Sequence, residues 1–260
     1  MNLQSWDEFE DEVEKLKRIL DDEEEWGHNQ FNFIFRGQAD SSWRLDTTLE
    51  RYTTEKQSLI SYYILINNIK SKIETFTNKD WTIPDFSEYE KWLVNYDSRA
   101  LTNLPAYEYM VYLRHHGFPS PLLDWSVSPY IAAYFAFREL QSKATSVAIF
   151  ACIEGGAGDF TGGLFIMSLP IYIHSDKRHF LQQCEYTICT STEERHYYHS
   201  HEDVFSRARN TKDFLWKFIL PSSERKKALR KLEMYNINAY SLFGSEETLM
   251  ETVFLRDFYL

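Results

Sequence analysis

The sequence predicts an α+β fold with a mixed or antiparallel central sheet and a helical N-terminal lobe. Stretches with apolar residues every three or four positions dominate the first third of the chain, as in amphipathic helices. Short apolar runs closed by Gly or Pro occur at residues 31–36 and again beyond residue 146, as in buried strands. There is no internal repeat or low-complexity linker, so residues 1–260 are predicted to form one domain. Within it, residues 1–30 would hold an acidic helix and residues 31–260 the α+β body.

The helices are predicted from their periodicity and their ends. The first begins after Ser5, which forms a capping-box pattern with Glu8. Pro129 suits the first position of a later helix, with Ser128 before it as the N-cap. The full set of predicted helices is 5–25, 57–76, 86–97, 105–115, 129–140, 222–235 and 246–258.

The strands are predicted from compact apolar runs. They lie at 31–36, 146–153, 164–169, 184–190 and 214–220. Between two of them, residues 155–163 contain five of the nine glycines and are predicted to form a mobile loop. Residues 115–129 contain three prolines and a glycine, and they are predicted to form a rigid loop that enters a helix.

Composition excludes several classes of protein. With 43% hydrophobic and 17% aromatic residues, the chain is not intrinsically disordered. No apolar run approaches the ~20 residues of a membrane span. The N-terminus is acidic, unlike a secretory signal, so a cytoplasmic location is expected. The three cysteines are expected to be buried reduced thiols. The net charge of −11 neither supports nor excludes a nucleic-acid partner, because residues 1–25 hold most of it.

Arg36 is the first candidate binding residue. It ends a buried strand and precedes Gly37 and Gln38. Its planar guanidinium suits two-point contact with a phosphate or carboxylate, and the glycine would let a ligand approach the backbone. The alternative is a structural ion pair to a nearby acid such as Asp40 or Asp46.

A second set of candidates lies in the predicted 115–129 loop. His116 begins it, and Asp124, Trp125 and Ser126 precede the next helix. A carboxylate, an indole and a hydroxyl on a rigid loop are typical of ligand contacts. Core packing of the tryptophan is the structural alternative.

A third candidate pair is Gln183 and Glu185. On a strand, alternate residues share a side, so both side chains would point the same way. The alternative is the solvent face of an edge strand. His196, His199 and His201 with Glu202 could suit zinc, but no strand or helix pattern places the imidazoles together, so no metal is predicted.

The sequence resembles the FRG domain family. The resemblance rests on Phe35-Arg36-Gly37 followed by the stretch Leu122-Leu123-Asp124-Trp125-Ser126-Val127-Ser128-Pro129. Trp43, Arg51, Arg178 and the Gln182-Gln183 pair also look like family segments. Two positions depart from the pattern, since Pro121 replaces an arginine and Cys184 replaces a glycine.

A more distant resemblance is to ADP-ribosyltransferases of the arginine–serine–glutamate type. An aromatic-Arg-Gly, then a serine before Ile131-Ala132 and Phe135-Ala136, then Gln183-x-Glu185 occur in the same order and spacing. The resemblance implies a split central sheet and NAD as substrate, without a metal. By it, Arg36, Gly37, Gln38, Asp124, Trp125 and His116 would bind NAD, while Glu185, Ser126 and Gln183 would act in catalysis.

The expected function is therefore a NAD-consuming ADP-ribosyltransferase or a NAD glycohydrolase-like enzyme. The acceptor would be a protein or a nucleic acid, and a regulatory partner protein is conceivable. The resemblance also suggests a bacterial toxin or an anti-phage effector. If Glu185 is not the key carboxylate, Asp124 is the next candidate. The alternative is an FRG-type module that recognises a nucleotide, a phosphate or a peptide without turnover.

Overall fold

The fold is α+β, as the sequence predicts. The computed structural model describes residues 1–21, 32–96, 104–139, 143–153, 164–169, 173–174, 176–191, 196–207 and 215–260. Within these ranges it has six strands in one sheet, together with eleven α-helices. In the same part of the chain, no helix combines the length and hydropathy that a membrane crossing requires.

The strands form a single sheet in which neighbours run antiparallel. The spatial order is β4-β5-β2-β1-β3-β6. The strands are β1 Phe33–Gln38, β2 Leu122–Ser126, β3 Ser146–Ile153, β4 Leu164–Ser168, β5 Cys184–Ser191 and β6 Leu215–Pro221.

The sheet divides into two halves at its centre. Elsewhere neighbouring strands pair over five to seven residues. Between β1 and β2, however, the one register pair is Phe35 with Ser126. Strands β4, β5 and β2 therefore form one half-sheet, and β1, β3 and β6 form the other. This division places an opening beside the end of β1.

The helices cover both halves. They are α1 Trp6–Asp21, α2 Thr48–Tyr52, α3 Leu59–Thr77, α4 Phe86–Val94, α5 Tyr107–His115, α6 Pro129–Phe137, α7 Lys177–Leu181, α8 His201–Arg207, α9 Arg225–Met234, α10 Ala239–Phe243 and α11 Glu246–Phe254. Helices α1 and α6 share a core with β1, β3 and β6. Helices α2 to α5 supply a second core against β2 and β5, so the predicted helical N-terminal lobe is confirmed.

One secondary-structure prediction was wrong. The segment expected to be a loop contains β2, which lies between β5 and β1. The reason is burial, because Leu122, Leu123 and Trp125 are all buried and need the backbone pairing that a sheet provides. The other predicted strands and helices form within about three residues of the expected ends where they are described. Residues 155–163 lie outside the described residues. All three cysteines are buried and unpaired, as expected.

Candidate functional site

A cleft of about 740 Å³ opens where the two half-sheets meet. Its floor comes from the ends of β1 and β2, and its walls come from α6 on one side and α5 on the other. The C-terminal helices α10 and α11 close a third side through Phe243 and Glu251. A volume of this size suits a small-molecule or cofactor ligand.

The centre of the floor is an Arg36–Asp124–Arg114 cluster. Arg36 Nη1 donates to the main-chain oxygen of Asp124 at 2.6 Å and also to its carboxylate Oδ1. Arg114 Nη2, from the end of α5, donates to the same Oδ1 at 2.6 Å. The guanidinium of Arg36 thus bridges β1 and β2 where their ladder stops. This answers the question that the sequence left open, since the partner of Arg36 is Asp124 and not Asp40 or Asp46.

The charges in this cluster do not cancel. Burial alone would raise the pKa of Asp124, but the charges of Arg114 and Arg36 outweigh it and hold that pKa well below its usual range. The carboxylate is therefore ionised, and two guanidiniums face one anion. Burial lowers the pKa of Arg36, partly offset by Asp124. An arginine stays protonated nonetheless, so the cluster has one unbalanced positive charge.

Three polar atoms of the cluster have no hydrogen-bond partner among the described residues. Among the described residues, Arg36 Nε and Arg114 Nε are buried without a hydrogen-bond partner. The second carboxylate oxygen of Asp124 accepts no hydrogen bond from any described residue, and its side chain is 30% exposed. The carboxylate of Asp124 can therefore accept a hydrogen bond from a ligand hydroxyl, whereas the two buried Nε atoms are not exposed to the cleft.

Three further arginines line the cleft. Arg51, at the end of α2, makes no ion pair with any described residue. Arg178 donates from Nη1 to the carbonyl of His115 at 2.6 Å and lies over the Phe243 ring at 5.4 Å. Arg138 forms a two-point pair with Glu251, at 2.7 and 2.5 Å. Five arginines against Asp124, Glu139 and Glu251 leave the cleft positive, which favours an anionic ligand.

Next to the cluster lies a histidine that is held neutral. His115 Nε2 is 2.8 Å from the hydroxyl of Tyr186 and 3.9 Å from Cys184 Sγ. Burial lowers the pKa of His115 to about 4. The same burial raises the pKa of the Cys184 thiol to about 12, so the thiol is protonated and a poor nucleophile.

Gly37 and Gln38 line the cleft, but the contacts they make stabilise the fold. A Cβ on Gly37 would lie 1.9 Å from the carbonyl oxygen of Ala132 in α6. The glycine therefore allows a helix to approach the strand, where a ligand's approach was expected. Gln38 donates from Nε2 to the carbonyl of Arg44 at 3.0 Å and anchors the loop that follows β1.

Trp125 and Ser126 are engaged inside the sheet. The Trp125 ring is buried, and its Nε1 donates to Thr187 Oγ1 at 2.8 Å. The Ser126 hydroxyl donates to the carbonyl of Gln182 at 2.8 Å and accepts from the amide of Ser128 at 3.1 Å. These contacts fix the path from β2 into α6.

Gln183 and Glu185 lie away from the Asp124 cluster. In the register of β2 with β5, Tyr186 pairs with Asp124, while Glu185 pairs with Trp125 on the opposite side. Glu185 is 4% exposed and does not line the cleft. Gln183 adopts a left-handed backbone conformation before the strand begins, with φ of 49°, so the predicted alternation does not reach it.

His116 also lies outside the cleft lining. It caps the end of α5, its ring packs at a tilt against Tyr112 with ring centroids 4.2 Å apart, and its Nε2 lies 3.9 Å from Asp176 Oδ2. Burial lowers its pKa. Its neighbour His115 is the histidine that lines the cleft. Of the histidines weighed for zinc, His201 is fully buried beside Thr187, and no metal-binding group of three or more ligands occurs in the described ranges.

Sequence reasoning missed Arg114 and Trp43 as site residues. Arg114 occupies the last turn of α5, where a basic residue is the ordinary helix-dipole pattern, so nothing local singles it out. Trp43 follows a polar turn, and this unusual position for a large apolar side chain was the available signal.

The protein is thus an α+β protein whose antiparallel sheet is split at its centre, with an arginine-rich cleft at the split. The family model of the FRG domain matches residues 31–145. The matched residues include Arg36, Arg114 and Asp124. No curated protein and no solved structure gives a significant match to the chain.

Proposed function

We propose that the cleft binds NAD and that its residues promote cleavage of the bond between nicotinamide and ribose. The observation that carries the proposal is the Arg36–Asp124–Arg114 cluster at the cleft floor. It offers guanidinium donors for a pyrophosphate next to an ionised carboxylate for a ribose. The chain would then be an ADP-ribosyltransferase or a NAD glycohydrolase.

The chemistry requires little beyond charge and position. When the glycosidic bond breaks, its electron pair leaves with nicotinamide, and the ribose becomes an oxocarbenium ion. An anion that is already in place stabilises that positive charge. Asp124 meets this need, since its low pKa keeps it ionised and its Oδ2 is not engaged by a described residue. The acceptor's oxygen or nitrogen then attacks the ribose carbon, and its proton passes to solvent.

Asp124 supports this role better than Glu185 does. Asp124 lines the cleft, whereas Glu185 lies on the opposite side of the sheet. Two arginines hold Asp124 in place, so it need not reorganise as charge develops. The same arginines make it a poor proton carrier, and we assign it electrostatic stabilisation alone.

The alternative is nucleotide recognition without turnover. One observation favours it, since the Ser126 hydroxyl is fully occupied in joining β2 to the Gln182 turn and to α6. On this alternative, the cleft holds a phosphate-bearing nucleotide as a signal or as a positioned substrate of a partner.

The test is nicotinamide release from NAD by the purified chain, with and without cell lysate as a source of acceptor. We expect release by the wild type, a loss of ~10²–10³ in rate for Asp124→Asn, and an unchanged rate for Glu185→Gln. Arg36→Lys should weaken NAD binding, because the lysine ammonium cannot make the two-point contact that the planar guanidinium makes. Each variant is assayed well below its own melting temperature.

The outcomes separate the proposals. Wild-type release that Glu185→Gln abolishes and Asp124→Asn spares would reassign the carboxylate to Glu185. NAD binding by calorimetry without release would favour recognition. Absence of both would overturn the NAD proposal. The proposed role as a cytoplasmic toxin or phage-defence effector predicts that an active chain lowers cellular NAD unless a partner protein restrains it.

A further inference from the structure

Trp43 is an exposed indole on a loop that is held in place. The ring is 49% exposed and lines the cleft, and it stacks on no other aromatic ring of the described chain. The loop is fixed by an Asp40 turn, in which the amide of Ser42 donates to Asp40 Oδ1 at 2.8 Å and that of Trp43 to the Asp40 carbonyl at 3.2 Å. A large apolar surface kept rigid in water is a typical ligand-stacking platform.

The loop is tied down at two more points. Ser41 bonds to Ser146 of β3 through both its amide and its hydroxyl, at 3.0 and 2.7 Å. Arg44 pairs with Asp203 of α8 at 2.9 Å. Little ordering of the loop is therefore left for a ligand to induce, and binding loses little conformational entropy.

Arg51 lines the same cleft as Trp43. Its guanidinium faces no described carboxylate, and its charge lies close enough to Arg36 to lower the pKa of that residue. Two like charges that line one cleft can share an anion that lies between them. An aromatic platform beside such an anion site matches a heterocyclic base joined through a sugar to a phosphate.

We propose that Trp43 and Arg51 form a base-and-phosphate subsite that takes the adenylate half of the dinucleotide. This inference rests on the proposed function. The pyridinium ring of NAD is cationic, so it is disfavoured beside Arg51, which forms no ion pair with a described residue. The neutral adenine stacks on Trp43, and its phosphate lies between Arg51 and Arg36.

The test measures Kd values for AMP, nicotinamide mononucleotide and NAD by calorimetry. Trp43→Ala should raise the Kd values for AMP and NAD on the order of 10-fold or more, which is the typical effect of losing one base–aromatic stacking contact. The same variant should leave the Kd for nicotinamide mononucleotide within about twofold of the wild-type value. Trp43→Phe should recover part of the AMP affinity. Arg51→Ala should weaken the binding of AMP but leave the binding of adenosine unchanged, because adenosine has no phosphate.

Phe76→Ala serves as the matched control. Phe76 is an aromatic side chain of α3, almost fully exposed and absent from the cleft lining, so no Kd should change. Equal losses for both mononucleotides in Trp43→Ala, or no loss for either, would overturn the subsite. Wild-type chain that binds no nucleotide would overturn it together with the NAD proposal. AMP affinity that depends on Trp43 in a chain that releases no nicotinamide would support the subsite and refute turnover.

Discussion

Replacing Asp124 by asparagine should destabilise the fold at its centre. The change keeps the shape of the side chain and its Oδ1 acceptor but removes the negative charge. Arg36 and Arg114 would then face one neutral oxygen. Each charge-assisted hydrogen bond would become an ordinary one, which loses roughly 1 kcal/mol per bond, and the two guanidiniums would repel each other.

The expected magnitude follows from burial. Removing one partner of a buried ion pair typically costs ~3–5 kcal/mol. The exposed fractions here are 30% for Asp124, 12% for Arg36 and 15% for Arg114, so the lower end applies. We expect the free energy of unfolding to fall by about 3 kcal/mol. For a chain of this size, that corresponds to a fall in Tm of roughly 6–9 °C.

The assay is urea unfolding at several pH values. The pKa of Asp124 is lower in the folded state than in the unfolded state. Its stabilising effect is therefore complete above about pH 4 and is lost as the pH falls further. The difference in the free energy of unfolding between wild type and Asp124→Asn should thus become smaller at acidic pH. The control is Asp7→Asn, which breaks an exposed pair with Lys227 and should leave the stability unchanged. A gap under about 1 kcal/mol at neutral pH would refute the reasoning.

Two further predictions concern packing and pH. Gly37→Ala should lower stability by ~3 kcal/mol or more or abolish soluble protein, because its Cβ would meet backbone atoms of Ala132 and Ala136 at 1.9 and 2.7 Å. Gly117→Ala, at a positive φ but in open space, should cost only ~1 kcal/mol, and equal thermal shifts for the two variants would contradict this account. The pKa of His115 is about 4 in the fold, below its unfolded value, so stability should fall from about pH 6.5 towards pH 4 as the unfolded chain takes up a proton. His115→Gln should reduce that slope in urea titrations without abolishing it, since burial also lowers the pKa of His201 to about 3; an unchanged slope would show that His115 is not buried in this state.

Much of the fold could be predicted from local pattern. Helix α6 illustrates this, since Ser128 caps it through the amide of Ile131 at 3.3 Å with Pro129 in its first turn. Strand β3 spans the predicted 146–153 because its run of apolar residues is buried on both faces. In both cases, the residues that determine the element lie within it.

Strand β2 could not be predicted in this way. Its five residues are flanked by prolines and carry Asp124 and Ser126, which locally favour a turn. It is a strand because β5 and β1 lie on either side of it, and that neighbourhood depends on distant parts of the chain.

The site was predictable only in part for the same reason. Arg36 could be singled out as a charge at the end of a buried strand and Asp124 as a carboxylate before a helix, and the two do meet. Alternation correctly separates Glu185 from its neighbours on the strand, but it does not say which side of the sheet holds the cleft. Arg114 joins the cluster from a helix ten residues earlier, and only the packing of α5 on β2 brings it there.

The division of the sheet implies that a ligand in the cleft would couple the opening of the two half-sheets. One backbone register pair and one guanidinium are what join the two half-sheets along β1 and β2. The place where the sheet is least paired is thus also the proposed ligand site. An anion bound by both Arg36 and Arg114 would link the two half-sheets, because Arg36 lies on β1 and Arg114 lies on α5, which packs against β2. Occupied protein should then open its two halves together, whereas the empty protein can exchange the amide hydrogens of each half independently.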